Sequence, residues 1–242
     1  MPPIGSANVF RTQLVAGQAT ERRLLISDLA AGSSKACRES LSLAKTVFPS
    51  RRSVTRSVVA VSAVDQLDFW RDVLVGSEAD DGVVVLLRKH DERALRDWTQ
   101  RHSRFETDER MARLSRATGG WPCLLDKALE LWAVSHDQDE ALRELELWLG
   151  QNLGAQEFVD AVGLLRDDTV MNGYLAIVDQ LDTGWNSDGD CRAALELVHI
   201  APDEARWALS CLEALQVLDR DVNRLRVDPV LHTALGVMGR IG

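Results

Sequence analysis

Leu114-Ser115-Arg116-Ala117-Thr118-Gly119-Gly120-Trp121-Pro122-Cys123-Leu124-Leu125 decides how the second half of this chain is read. Thr107 can cap a helix that turns Met111 and Leu114 inward. The paired glycines stop it, because glycine takes the left-handed C-terminal conformation without a Cβ penalty. Pro122 then stands where the first turn of a new helix accepts it, since the N–H it lacks would have no intrahelical partner there. Leu124, Leu125, Ala128, Leu129 and Trp132 continue at helical spacing. The stretch is a corner between two helices.

Working outward, Asp91 can cap a helix with Leu95 and Trp98 on one face, and Asp139 to Leu149 forms another with Leu142, Leu145 and Trp148. These helices make a compact subdomain over 91–152. Residues 153–242 follow a different order. A helix near Gly173–Leu181 precedes a polar loop over 182–189. A helix over Cys191–Val198, a turn at Ile200–Asp203 and a longer helix from Asp203 to Leu215 come next. Val217 to Val227 reads as a β-hairpin with its tip near Asp221–Asn223, and Asp228-Pro229 opens a last helix with Leu231, Leu235 and Met238. Helix, turn, longer helix, hairpin is the order of a winged helix-turn-helix.

The first third alternates instead. Leu24–Asp28, Val58–Ser62 and Val83–Leu87 are apolar, β-branched runs that predict strands. Between them lie a helix from about Ser33 to Val47, stopped before Pro49, and a short one over Gln66–Val75. Continuous apolar strands alternating with helices predict a parallel sheet covered on both faces, here only part of one. The fold class expected is mainly α with an α/β part: a partial parallel sheet with helices over 1–90, a helical subdomain over 91–152, and a winged helix over 153–242.

Composition fits a globular chain, with 45% hydrophobic and 27% charged residues. No apolar run approaches the ~18–20 residues that span a bilayer, and the opening MPPIGSANVFRTQ lacks a charged-then-apolar signal pattern. A cytoplasmic protein with no membrane partner is expected. Cys37, Cys123, Cys191 and Cys211 are far apart and form no CxxC pair, so they read as reduced residues. The sequence offers no Ser/His/Asp constellation, metal-ligand spacing or dinucleotide fingerprint, so no catalytic or metal-ligating residue is assigned. Charge is uneven: residues 1–60 carry net +6, 61–150 net −7 and 151–242 net −8.

The corner Gly120-Trp121-Pro122, followed by Leu124 and Leu125, resembles the lid signature of STAND ATPases, the AAA+-related family that includes the NB-ARC and NACHT proteins. A Gly-x-Pro turn is also a plain helix–helix corner, but the order of strand, helical lid and winged helix is similar to the family's layout. The resemblance implies ATP or ADP as cofactor. It implies that Pro122 and Trp121 lie near the base, with Gly120 forming the turn, and that Arg113 or Arg116 is within reach of phosphate. Leu24–Asp28 resembles a Walker B strand, which would give Asp28 the Mg²⁺-orienting place. The usual second acidic residue is missing there, since Leu29 follows. Ser62 would stand at a γ-phosphate-sensing position. The decisive departure is the absence of GxxxxGK[ST], whose amides and Lys cradle phosphates. Too few residues precede Leu24 for the missing strand, loop and helix. The implied module is therefore ATPase-derived, and nucleotide-dependent only with a P-loop half that this chain does not contain.

Three roles compete on this reading. The first is a regulatory or packing module, whose partner is another protein or the missing ATPase core. The second is a winged-helix DNA-binding regulator. Against it, Asp203–Leu215 carries three acidic residues and one basic, where a major-groove helix offers Arg, Lys, Asn or Gln. Arg220, Arg224 and Arg226 leave a wing contact with nucleic acid open. The third is a protein-interaction adaptor, with Trp185 in a Gly/Asp/Asn loop as its candidate anchor.

Overall fold

In the computed structural model, residues 24–28, 56–60, 89–181 and 183–241 are described, the first two stretches as backbone alone. The chain divides into two compact units, Met1–Glu78 and Ala79–Gly242. In the first unit, β1 (Leu24–Asp28) runs parallel to β2 (Arg56–Ala60), with Leu24 opposite Arg56 and Asp28 opposite Ala60. The second strand begins before the expected Val58, and the expected residues Val61 and Ser62 lie outside the described residues. The helices expected at 33–47 and 66–75, and the strand at Val83–Leu87, lie outside the described residues.

From residue 92 onward the chain is mainly helical. The first four helices are α1 (Glu92–His102), α2 (Asp108–Thr118), α3 (Pro122–Ser135) and α4 (Gln138–Leu149). The caps read from the sequence are in place. Asp91 accepts from Ala94 N, and Thr107 accepts from Arg110 N. Asp137 caps α4, accepting from the amides of both Asp139 and Glu140. Leu95, Phe105, Met111, Leu114, Leu125, Leu142 and Leu145 are buried together between these helices. Each full burial of such a side chain contributes roughly 1.5–3 kcal/mol. On the surface, Arg110 pairs with Asp139 and Arg113 with Glu146, adding little, as exposed ion pairs do.

A helix the sequence did not announce follows, α5 (Asn152–Val162). Its N-cap, Gln151, makes no side-chain cap bond, and Gly154 stands in its first turn. A Cβ on Gly154 would lie 2.0 Å from the Trp148 carbonyl oxygen. Glycine is what lets the start of α5 fold back onto the end of α4. After a 3₁₀ turn at Leu164–Arg166, α6 runs over Asp168–Gln180. It starts well before Gly173 because Asp167 caps it, accepting from Val170 N.

The remaining order is β3 (Asn186–Ser187), α7 (Asp188–Leu197), α8 (Pro202–Ala214), β4 (Leu218–Asp221), β5 (Arg224–Val227) and α9 (Pro229–Val237). The hairpin expected at 217–227 is β4–β5. The two-residue strand β3, absent from the sequence reading, joins it, giving the sheet order β3-β5-β4. Both pairings are antiparallel. The parallel sheet expected from the sequence belongs to residues 1–90, where β1 and β2 do run parallel; this three-stranded sheet is antiparallel, as a two-residue turn between neighbouring strands requires. Ser187 closes a reciprocal capping box with Asp190 at the start of α7, which fixes β3 at the sheet edge. The α8 helix packs on α6, α7 and β4, while α9 packs on α5 and α2. That last contact brings the end of the chain to the Gly-Gly corner.

Candidate functional site

The corner is built on left-handed backbone that favours glycine. Gly119 and Gly120 have φ of 56° and 76°. His90 N donates to Gly120 O at 2.8 Å. A Cβ on Gly120 would stand 2.1 Å from the His90 carbonyl oxygen. Gly120 is therefore a point of backbone contact between the 89–91 segment and the corner.

Trp121, at the N-cap of α3, is buried. Its ring meets Phe158 edge-on at 5.6 Å, and the Lys89 ammonium lies 5.0 Å from the ring centroid. Its Nε1 donates to Asp228 Oδ1 at 3.2 Å. The same oxygen accepts from Leu231 N at 2.8 Å, capping α9. The other oxygen, Oδ2, takes the Lys89 ammonium. Asp228 is 1% exposed, so this carboxylate is a buried charge with three donors. A carboxylate this deep is tolerable only when paired and hydrogen-bonded. Lys89 also reaches Asp219 Oδ1 at 2.8 Å, and its backbone N–H donates to the Gln216 side chain. Asp219 is shared with Arg226 at 2.9 Å. Burial pushes the Asp219 carboxyl upward in pKa, but the hydrogen bonds from Lys89 and Arg226 outweigh it and hold the group below its ordinary value.

Beside this node opens a cleft of ≈ 630 Å³. Lys89, Arg116, Gly119, Trp185, Asp219 and Arg226 are among its walls. Arg116 is exposed on the last turn of α2 and carries no ion pair among the described residues. The structure thus brings Arg116 to the cleft, with the Gly119–Gly120 turn behind it. Neither Trp121 nor Pro122 lines it. Pro122 is exposed at the first position of α3. The Trp121 ring is covered, which leaves no free face for a purine. Asp28 ends β1, and its side chain lies outside the described atoms, as does all of Ser62. The corner residues present one free guanidinium to an anion, and no nucleotide-binding step is derived from them.

The other arginine candidates are held by acids. Arg220 is bound by Glu213 at 2.6 Å and Asp188 at 3.1 Å, which raises its pKa further. Arg224 pairs with Asp221 at 2.6 Å and Arg113 with Glu146 at 2.6 Å. Trp185 is 39% exposed, with the guanidinium carbons of Arg226 and Arg224 at 4.7 and 5.7 Å from its centroid. Among the described residues no three His, Cys, Asp or Glu side chains gather as a metal site requires, and no helix is long and apolar enough to cross a membrane.

Sequence reasoning did not find Lys89, Asp219 and Asp228. The one available signal was Asp228 directly before Pro229, a capping pair at a helix start. Its second and third partners lie more than 100 positions away. No protein-family model matches the chain, and no curated protein matches it.

Proposed function

We propose that residues 91–152 act as a helical lid and 153–242 as a winged helix, together a regulatory packing module of the STAND ATPase kind. Nucleotide would be handled only with a P-loop core carried elsewhere. The observation that carries this reading is the Asp228 node. Through one buried carboxylate it ties the Gly-Gly-Trp-Pro corner to the helix after the hairpin. A lid and winged helix joined this way move as a single piece, which is what a switch module needs in order to swing against a partner. The element order from α6 to α9, with β3 completing the hairpin sheet, supports the winged-helix part.

The DNA-binding alternative finds less support. Helix α8 would be the reading helix, yet Trp207, Leu209, Cys211 and Leu212 are all buried, and its exposed charges are Asp203, Glu204 and Arg206. The hairpin arginines are neutralised by acids within the same unit. Phosphate contact would first have to break those pairs.

The test is to titrate the purified chain with ADP, ATP and duplex DNA over a salt series. The expected result is no ATP hydrolysis and no salt-steep DNA binding by the chain alone, with nucleotide-sensitive association only when a P-loop core is supplied. Hydrolysis by the chain alone would sink this reading, and steep salt dependence with DNA would favour the alternative.

A further inference from the structure

The cleft between the Gly-Gly corner and the hairpin carries acids and bases in its walls, and nearly all of them are engaged with one another. Asp219 and Asp228 share the Lys89 ammonium, and Asp219 also takes Arg226. Glu213 holds Arg220. Asp91 caps α1. Arg116 is the guanidinium left over, exposed on the last turn of α2 with no ion pair or hydrogen bond among the described residues. The same walls hold two nitrogens that the chain does not satisfy. His90 Nδ1 and Arg226 Nε are buried and have no hydrogen-bond partner among the described residues. Buried polar atoms are almost always paired in native proteins, so such orphans point to a group from outside the chain. An oxyanion supplies the acceptor that a guanidinium N–H needs, and it suits imidazole in the tautomer with its proton on Nδ1.

Charge narrows the kind of anion. One unpaired cation matches one negative charge, whereas a di- or triphosphate would bring several against the carboxylates already in the walls. A planar carboxylate also meets a guanidinium through two parallel hydrogen bonds. The ≈ 630 Å³ of the cleft is the size of a small-molecule pocket, so the carboxylate comes with a body. Trp185, 39% exposed, and Val230 on α9 give that body an aromatic and an apolar wall. Aromatic rings pack on indole in offset or edge-on geometry. We propose that this cleft binds a small aromatic monocarboxylate, with the carboxylate on the Arg116 guanidinium and the ring against Trp185. The proposal does not depend on the nucleotide-switch reading.

The experiment is calorimetric titration of the full chain with benzoate, acetate, inorganic phosphate and ADP at constant ionic strength. Benzoate is expected to saturate one site with a dissociation constant of about 1 mM or tighter, and the other three to bind at least about tenfold more weakly. R116Q should weaken benzoate by about tenfold or more. W185L should remove the advantage of benzoate over acetate. R113Q, on the same helix but paired with Glu146 outside the cleft walls, should bind as wild type does. Thermal melts establish that each variant is folded. Absence of saturable benzoate binding overturns the proposal. So does an R116Q chain that melts and binds as wild type does, or phosphate or ADP binding more tightly than benzoate.

Discussion

Trp121 and Asp228 are 107 positions apart in sequence and joined by one hydrogen bond, Nε1 to Oδ1, at 3.2 Å. That bond is where the helical corner and the hairpin-bearing part of the fold become one structure. Removing the carboxylate strands two buried donors and uncaps α9. D228A is expected to cost about 3–5 kcal/mol in urea denaturation. W121F removes a single donor and leaves Asp228 its other partners, so about 1–2 kcal/mol is expected. Equal losses for the two variants would mean that Asp228 acts only through the tryptophan.

The two glycines of the corner are not equivalent. A Cβ on Gly119 would meet Val230 Cγ2 at 3.0 Å, a side-chain atom that can shift. A Cβ on Gly120 would meet a backbone carbonyl at 2.1 Å, which can move only with the chain. Both also force a non-glycine residue to positive φ, at about 1–2 kcal/mol each. G120A should therefore be far more damaging than G119A, and thermal melts of the pair would show it. Similar melting temperatures would contradict the tight His90–Gly120 approach.

Tyr174 is fully buried, and its hydroxyl has no hydrogen-bond partner among the described residues. Burial, with a smaller contribution from the charge of Asp228, pushes its pKa well above the ordinary value. A buried donor left unpaired costs about 1–3 kcal/mol. Y174F keeps the ring and removes that cost, so it should raise stability by about 1 kcal/mol. Destabilisation on chemical denaturation would show that the hydroxyl is bonded after all.

Asp219 gives the unit an acid sensitivity of defined sign. Its folded-state pKa is depressed, so its contribution is present above the unfolded-state value, 3.8, and is lost as pH falls through the folded value. D219N should flatten the acid limb of the stability profile below about pH 4, and leave the neutral-to-basic limb unchanged in shape. Denaturant midpoints collected across that window read it directly.

Much of the local structure was legible because it depends on local chemistry. Asp91, Thr107 and Pro122 announce helix starts, and Gly119 sits at a helix end in the left-handed conformation. The hairpin was legible from alternation on its arms. What escaped depends on distant partners or on exceptions to local rules. Helix α5 begins without a side-chain cap and carries Gly154 in its first turn, so its sequence reads as loop; the glycine is explained only by the Trp148 carbonyl beneath it. Strand β3 has two residues, too few to show a period, and exists because β5 lies beside it. The Lys89 contacts could not be read at all, since nothing near residue 89 signals a carboxylate at 228. Of the residues expected around a nucleotide, Trp121 was noticed for its ring, while the structure engages its ring nitrogen.

The attachment of Lys89 has a mechanical corollary. Its backbone N–H is bound to Gln216, and its ammonium to Asp219 and Asp228. The chain is thus moored one step before α1 begins. Tension arriving from residues ahead of 89 does not peel α1 away. It loads the hairpin and the first turn of α9, late in the sequence, and through Trp121 and Gly120 the corner between α2 and α3.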